Sequence, residues 1–467
     1  MGTADESREE HGRAALMELL RARAERSPSA PALIAPGRAP LTYAQLVQQM
    51  DDTVSRLNAL GFGRGSRVAM VLPDSVEMAA AFLCISAGAT CMPLNPAFRT
   101  RELELAFAHA NPHALLVLAG SASPAVAVAR RLAIPVLELM PAAEEGGRFT
   151  LRGLGASQPV TGGAARADDA ILVLQTSGTS AEPKLVTLTH RNVVAAARAI
   201  CDALELTAAD RCLSVLPLFH IHGLSAIVAS LVAGGSVVCP PGFSAHAFFA
   251  SLDELRPTWY TASPAIHRAI VEEARRGRHR AAGSSLRFIR SASSAMPREL
   301  AIELEELFQV PLIEAYGMTE AAPQIASNRL PPHVRKPGSV GTAAGPEIAI
   351  VDGEIAIRGE NVSSPGWLRT GDLGYLDADG HLFVTGRVTD VINRGGEKIA
   401  PQEVESALLD HPGVAEAAAF GLPHPTVGHR VAAAVVLRAG AEVNAGALRR
   451  FVAERLASFK VPQPSAI

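Results

Sequence analysis

Cysteine is scarce in this chain, with five among 467 residues: Cys84, Cys91, Cys201, Cys212 and Cys239. The count is odd and none forms a C-x-x-C pair. That argues against a zinc site or a disulfide framework and for buried thiols in a reducing cytoplasm. An excess of charge is lacking too. A formal net charge of −3 gives no electrostatic case for nucleic acid or an anionic membrane as the main partner. Long hydrophobic runs are missing. The longest apolar stretch, Gly223 to Val238, is broken by Gly234 and Gly235. It falls short of the roughly 20 residues of a spanning helix and reads as a buried core helix followed by a strand, so no integral membrane segment is expected. Met1 to Arg26 is rich in Glu and Arg and lacks the apolar segment of a signal peptide. No lipidation or peroxisomal signal stands out, since the chain ends Ser465-Ala466-Ile467. There is no internal repeat. Aromatic residues make up 4%, a figure that says nothing about any one pocket.

What is present is ample core material, with 48% hydrophobic and 19% charged residues. The length exceeds that at which a single core stops growing, so two or more structural units are expected. Val68 to Leu72, Leu115 to Leu118, Ile134 to Leu137 and Ala170 to Leu174 read as strands. Ser75 to Ala87 and Asn192 to Leu204 read as helices. This alternation predicts an α/β architecture with parallel pairing. Gly353 to Arg358 and His381 to Thr385 suggest β-rich structure around Asp-Gly turns. Beyond Arg387 come Val391 to Asn393, a Gly395-Gly396 turn, a helix from Pro401, strands at Val414 to Phe420 and Val431 to Leu437, and a helix at Ala447 to Leu456. Proline suits a first helical turn, and Glu403 and Glu405 suit its positive end. The predicted division is a large unit, residues 1–386, and a small α+β unit, residues 387–467.

Three segments carry chemistry. Thr176-Ser177-Gly178-Thr179-Ser180-Ala181-Glu182-Pro183-Lys184 follows a strand directly. Its hydroxyls and glycine can wrap phosphate oxygens, and Lys184 adds a point charge. It lacks Walker A spacing, and an ordinary polar βα loop is the competing reading. Glu314-Ala315-Tyr316-Gly317-Met318-Thr319-Glu320 combines a ring to stack a base, a glycine to clear room, a hydroxyl for a phosphate and a carboxylate for a hard cation. The plainer reading there is a strand end followed by a helix capped by Thr319. Thr370-Gly371-Asp372, followed by Gly386-Arg387, offers a carboxylate and an arginine for ribose hydroxyls, or merely a turn and a surface charge.

In order, type and spacing these segments resemble the adenylate-forming superfamily, which includes acyl-CoA synthetases, luciferases and the adenylation domains of peptide synthetases. The resemblance runs from about Leu41 to Lys460. Leu216-Pro217-Leu218-Phe219-His220-Ile221-His222-Gly223 and Arg394-Gly395-Gly396-Glu397-Lys398-Ile399 look like acyl-CoA synthetase versions of the acyl-pocket segment and the small-domain loop. Phe288-Ile289-Arg290-Ser291, Ala326-Ser327-Asn328 and Lys336-Pro337-Gly338-Ser339-Val340-Gly341 are similar to oxalate–CoA ligases.

The resemblance implies a large N-terminal domain of stacked α/β sheets with a β-rich subdomain, and a small C-terminal domain that rotates between half-reactions. It implies ATP, magnesium and CoA as cofactors and a small carboxylic acid as substrate. Thr176 to Ser180 and Lys184 would grip the β- and γ-phosphates, and Thr319 and Glu320 the α-phosphate and magnesium. Adenine would lie between Ser293-Ser294-Ala295 and Tyr316. Asp372 and Arg387 would hold the ribose. His220 would stand where acyl and thiol tunnels meet, or be a hydrogen-bonded core histidine; His222 reads as structural. Gly395 and Gly396 would approach the pantetheine arm, with Lys398 near the adenylate.

Four departures qualify the match. The chain stops after Phe459-Lys460-Val461-Pro462, short of the family's P-x-x-x-x-G-K lysine, so a truncated small domain and impaired adenylation are expected. Thr389 stands at a hinge position usually Asp or Lys. The loop before Gly366-Trp367 is short. Pro323 stands where oxalate-type members often carry a histidine. The alternatives are a stand-alone protein loading a carrier-protein thiol and a non-catalytic nucleotide- or acyl-binding remnant. An amino-acid substrate is disfavoured, because His220 occupies the place of an ammonium-binding aspartate.

Overall fold

Apolar side chains run almost unbroken through Arg67–Val71, Thr90–Pro93 and Ala114–Leu118. A strand covered on both faces requires such a run. In the computed structural model, which describes residues 14–153, 161–176, 184–277 and 283–463, these strands pair in parallel at the centre of a seven-stranded sheet. Val136–Pro141 and Ala170–Thr176 extend it in parallel, and Phe149–Gly153 and Lys184–Thr189 close its edges in antiparallel fashion.

A nine-stranded sheet carries the parallel strands Pro31–Ile34, Ser236–Val238, Arg211–Ser214, Trp259–Ala262, Phe288–Ser291 and Leu312–Tyr316, in that lateral order. Helices Val76–Ser86 and Ile221–Val232 are buried on nearly every side, as helices apolar all round must be. One core cluster takes Phe82, Leu83 and Ile227 from them, Val68 and Leu116 from the first sheet, and Leu33 and Val237 from the second. The chain therefore has the mixed α/β fold expected. Gly223 to Val238 forms the predicted helix and strand, the turn at Gly234 and Gly235 separating them.

Chain contacts divide the described residues into two units, the second made of residues 348–357 and 367–467. Glu354–Arg358, Leu368–Leu376 and Leu382–Arg387 form antiparallel β structure there. Ile392–Arg394, Glu397–Ile399, Val414–His424 and Gly428–Leu437 form a further four-stranded sheet. Helices Pro401–Leu409 and Ala445–Ala453 cover it, packing Val404, Leu408, Leu448 and Val452 against Ile392, Val414 and Val431. Pro401 opens its helix, as expected from the proline.

One element departs from the sequence reading. The polar segment after Ala170–Thr176 leads not into a helix but into the return strand Lys184–Thr189. Val186 and Leu188 are buried on one face and alternate with Leu185, Thr187 and Thr189 on the other, which suits an edge strand with one buried face. The helix His190–Leu204 begins only after it, capped by the Thr189 side chain.

Candidate active site

In an open parallel sheet, the segments leaving the carboxyl ends of neighbouring strands diverge and leave a crevice. Four adjacent strands of the nine-stranded sheet end at Ser214, Ala262, Ser291 and Tyr316. The segments beyond these ends bring His220, Ser293, Ser294, Ala295, Thr319 and Glu320 to one edge, although they lie far apart in the sequence. Ser293, Ser294 and Ala295 are exposed and Tyr316 is half-buried. Register pairs Ser291 with Glu314, so the Ser293 segment and Tyr316 leave neighbouring strands.

Thr176 and Lys184 are the paired residues nearest the connection between their two strands, the Thr176 hydroxyl donating to the Lys184 carbonyl at 3.4 Å. Ser177, Gly178, Thr179 and Ser180 lie outside the described residues. Lys184 Nζ stands 3.5 Å from Oε1 of Glu320; the lysine side chain is 62% exposed and the glutamate only 11%. Thr319–Ala321 forms a single 3-10 turn with Met318, not Thr319, at its cap position, so the threonine hydroxyl is not spent on capping. The turn is tied down on its other side. Ser363 N–H donates to the Glu320 carbonyl at 2.7 Å, and Asn361 Nδ2 donates to the carbonyls of Ala321 and Gln324 at 2.9 and 2.6 Å.

Among the described residues no three His, Cys, Asp or Glu side chains gather as a metal cage. One fixed carboxylate, Glu320, beside the Lys184 ammonium nevertheless fits magnesium, which takes one or two carboxylates and completes its shell with phosphate oxygens and water.

Asp74 Oδ1 accepts from the Leu218 N–H at 2.7 Å, tying the Val215–His220 segment to the loop after strand Arg67–Val71. Burial raises the Asp74 carboxyl, and desolvation holds the His220 imidazole below its ordinary range, the nearby Asp74 charge opposing. A cavity of about 190 Å3 opens there between Asp74, Ser214, Leu218, Cys239, Phe243 and Ile266.

Sequence reasoning did not find Arg290 as a site residue. It is 2% exposed in the middle of strand Phe288–Ser291. Nη1 reaches His222 Nε2 at 3.0 Å and Thr261 Oγ1 at 3.2 Å, and Nη2 donates to Gln324 Oε1 at 3.0 Å. None of these partners is a carboxylate, and among the described residues Nε finds no hydrogen-bond partner. Burial pushes the guanidinium down to about 10. A signal was present: a charge inside a strand flanked by parallel neighbours on both sides breaks the hydrophobic run such strands need.

Within the second unit, Asp372 and Arg387 are directly opposite across an antiparallel pair, Arg387 Nε donating to Asp372 Oδ1 at 3.1 Å. Asp372 is buried and Arg387 exposed. Gly395 and Gly396 make the exposed hairpin turn at φ +62° and +94°, and Lys398 stands exposed on its return strand.

Comparison with known proteins gives the family. Residues 20–365 match the AMP-binding enzyme family model and residues 403–467 match that of the AMP-binding enzyme C-terminal domain. The chain belongs to the AMP-binding enzyme family. Within it the chain groups with acid–CoA ligases. It is 37% identical to the oxalate–CoA ligase of Arabidopsis thaliana, over 96% of this chain and 93% of that one. It is 36% identical to the sulfoacetate–CoA ligase of Cupriavidus necator, with the same coverage. The o-succinylbenzoate CoA synthetase MenE of Bacillus subtilis, solved in complex with the acyl-adenylate intermediate OSB-AMP, superposes with a TM-score of 0.79. It is 30% identical, over 95% of this chain and 93% of that chain. Among the described residues no helix is long and apolar enough to cross a membrane.

Proposed function

We propose that this AMP-forming ligase activates a small carboxylic acid carrying a second anionic group, first as its acyl-adenylate and then as its CoA thioester. The pair formed by Glu320, beyond the carboxyl edge of the nine-stranded sheet, and Lys184, on the edge strand of the seven-stranded sheet, carries the reading of the first step. The acid's carboxylate attacks the α-phosphorus of ATP and pyrophosphate leaves. Both reactants are anionic, so the repulsion and the charge developing in the transition state must be offset. Lys184 offsets part of it, and Thr319 offers a hydroxyl donor. Glu320 would hold magnesium, which when bound neutralises phosphate charge. Thr176, with the hydroxyls at Ser177, Thr179 and Ser180, would wrap the leaving phosphates, and Tyr316 would stack the adenine beside Ser293, Ser294 and Ala295. Asp372 and Arg387 would take the ribose hydroxyls. In the second half-reaction the CoA thiol attacks the acyl carbon and AMP leaves. Gly395 and Gly396 would pass the pantetheine arm and Lys398 would serve near the adenylate. His220 would line the meeting of acyl and thiol paths.

The second anionic group is supported by two observations. Oxalate and sulfoacetate, the acids named for the two relatives, each carry one. Among the described residues, the buried Arg290 beside the same edge has no carboxylate partner. Oxalate itself is not singled out, because Pro323 replaces a histidine frequent in oxalate-type members. Free thiols at all five cysteines suit a cytoplasmic enzyme. The test is acid-dependent pyrophosphate release across a panel of mono- and dianionic acids, with and without CoA. No release with any acid would overturn the reading, and acylation of a carrier protein in preference to CoA would reassign the acceptor.

A further inference from the structure

His222 is 7% exposed and its ring is engaged at both nitrogens. Nε2 lies 3.0 Å from Arg290 Nη1 and 2.7 Å from Thr261 Oγ1. A guanidinium has only donors, so Nε2 faces it as an acceptor. The Thr261 hydroxyl fits the same polarity, accepting from Arg290 Nη1 at 3.2 Å and giving its own proton to Nε2. With Nε2 unprotonated, a neutral imidazole carries its proton on Nδ1. Burial, with the Arg290 charge next in weight, holds the imidazole well below its ordinary range and keeps it neutral. Nδ1–H then donates to Ser293 Oγ at 2.7 Å. Having accepted from the histidine, the serine hydroxyl has its own proton left to give.

Ser293 is also strained. Its φ is +80°, in the left-handed region where a side-chain-bearing residue costs roughly 1–2 kcal/mol. It is exposed, just beyond the carboxyl end of strand Phe288–Ser291. Among the described residues the buried Arg290 has neither a partner for its Nε nor a carboxylate counter-ion, and a buried charge without a counter-ion is strongly destabilising. Packing alone does not ask for this, since an apolar residue would suit the strand.

We infer that Arg290 is a positioning residue for substrate selection: through His222 it sets the Ser293 hydroxyl as an outward hydrogen-bond donor for the second anionic group of the acid. The inference rests on the proposed binding of a dianionic acid at this edge. Thr261, His222 and Arg290 come from three elements, so the polarity of the relay is set by the tertiary structure. A ligand anion at Ser293 supplies, at one remove, the counter-charge that Arg290 lacks among the described residues.

Two measurements test it. Nitrogen-15 NMR of histidine-labelled protein at pH 7 should show His222 as the Nδ1–H tautomer. An Nε2–H or doubly protonated ring would overturn the relay, and this readout needs no turnover. Steady-state kinetics should then compare malonate and sulfoacetate with propionate. Arg290→Met and Ser293→Ala should each lower the dianion-to-monoanion ratio of kcat/KM at least tenfold, with the change in KM rather than kcat. His222→Asn keeps an N–H near the Nδ1 position and should restore much of the ratio lost in His222→Leu. Equal loss for both classes of acid in Ser293→Ala would confine the hydroxyl to the adenine side or to bracing and would overturn its role in acid selection; this exposed serine is the decisive variant should Arg290→Met not fold. A wild-type enzyme that activates neither class would sink the functional reading, and the tautomer would still decide the relay's polarity.

Discussion

The carbonyl oxygen of Pro323 occupies the space a side chain on Gly317 would need: an added Cβ would lie 1.5 Å from it. The glycine of Tyr316-Gly317-Met318-Thr319-Glu320 thus clears room for the chain's own backbone rather than for a ligand. After the 3-10 turn, Ala322 adopts φ +55° and folds the chain back, so that Ile325 N–H can donate to the Tyr316 carbonyl at 2.9 Å.

Gly317→Ala should therefore disrupt the turn that holds Glu320. Overpacking against backbone, which cannot rotate away, should destabilise by about 2–3 kcal/mol. Urea denaturation should show the loss, and acid-dependent pyrophosphate release should fall with it. An alanine variant of wild-type stability would mean that the turn shifts freely.

Glu320→Ala should leave the fold intact and reduce adenylation. The turn is fixed by hydrogen bonds from Ser363 N–H and Asn361 Nδ2 to its backbone carbonyls rather than by a buried ion pair, since the partner Lys184 is largely exposed. Losing one group that stabilises transition-state charge typically lowers the rate roughly 10²–10³-fold. Pyrophosphate release at saturating ATP and magnesium is the measurement, with circular dichroism as the check on folding. An unchanged rate would show that the carboxylate only braces the turn.

Asp372→Ala should weaken ATP and AMP binding together, because both carry the same ribose. Hydrogen bonds to a charged acceptor contribute about 1.5–3 kcal/mol, so calorimetry should show a loss of roughly 10- to 100-fold for each nucleotide. Equal affinities in mutant and parent would remove Asp372 from the nucleotide site.

Glu314 gives a pH dependence with a definite sign. Burial pushes its carboxyl up to about 7 from the ordinary 4.5, Arg335 opposing and Glu305 adding. The folded state then holds a proton that the unfolded state has released. Its stability contribution is fully present below about pH 4.5 and is lost as pH rises through about 7. Between about pH 4.5 and 8, wild type should lose up to roughly 3 kcal/mol relative to Glu314→Gln, because each pH unit over which the two states differ by one proton is worth about 1.4 kcal/mol. Urea midpoints of both proteins at the two pH values test it, and parallel pH curves would show that Glu314 stays ionised.

The sequence by itself determined the alternation of apolar runs that makes an α/β fold, the core helix and strand of Gly223 to Val238, the proline-started helix at Pro401, and the spacing of the hydroxyl-rich, Tyr-Gly-Met-Thr-Glu and Thr-Gly-Asp segments. These are local properties, written in periodicity, turn residues and fixed spacing. The return strand Lys184–Thr189 was legible in its alternation but hidden by the loop chemistry before it. What only the tertiary structure decided depends on residues far apart in the chain. Gly317 is needed because Pro323 folds back onto it. Thr319 is not a cap because Met318 takes that place. Arg290, Thr261, His222 and Gln324 become one network because parallel register and a helix start bring their polar atoms within 2.7–3.2 Å. A hydrogen bond needs partners at one distance in space, and a linear sequence states no distances.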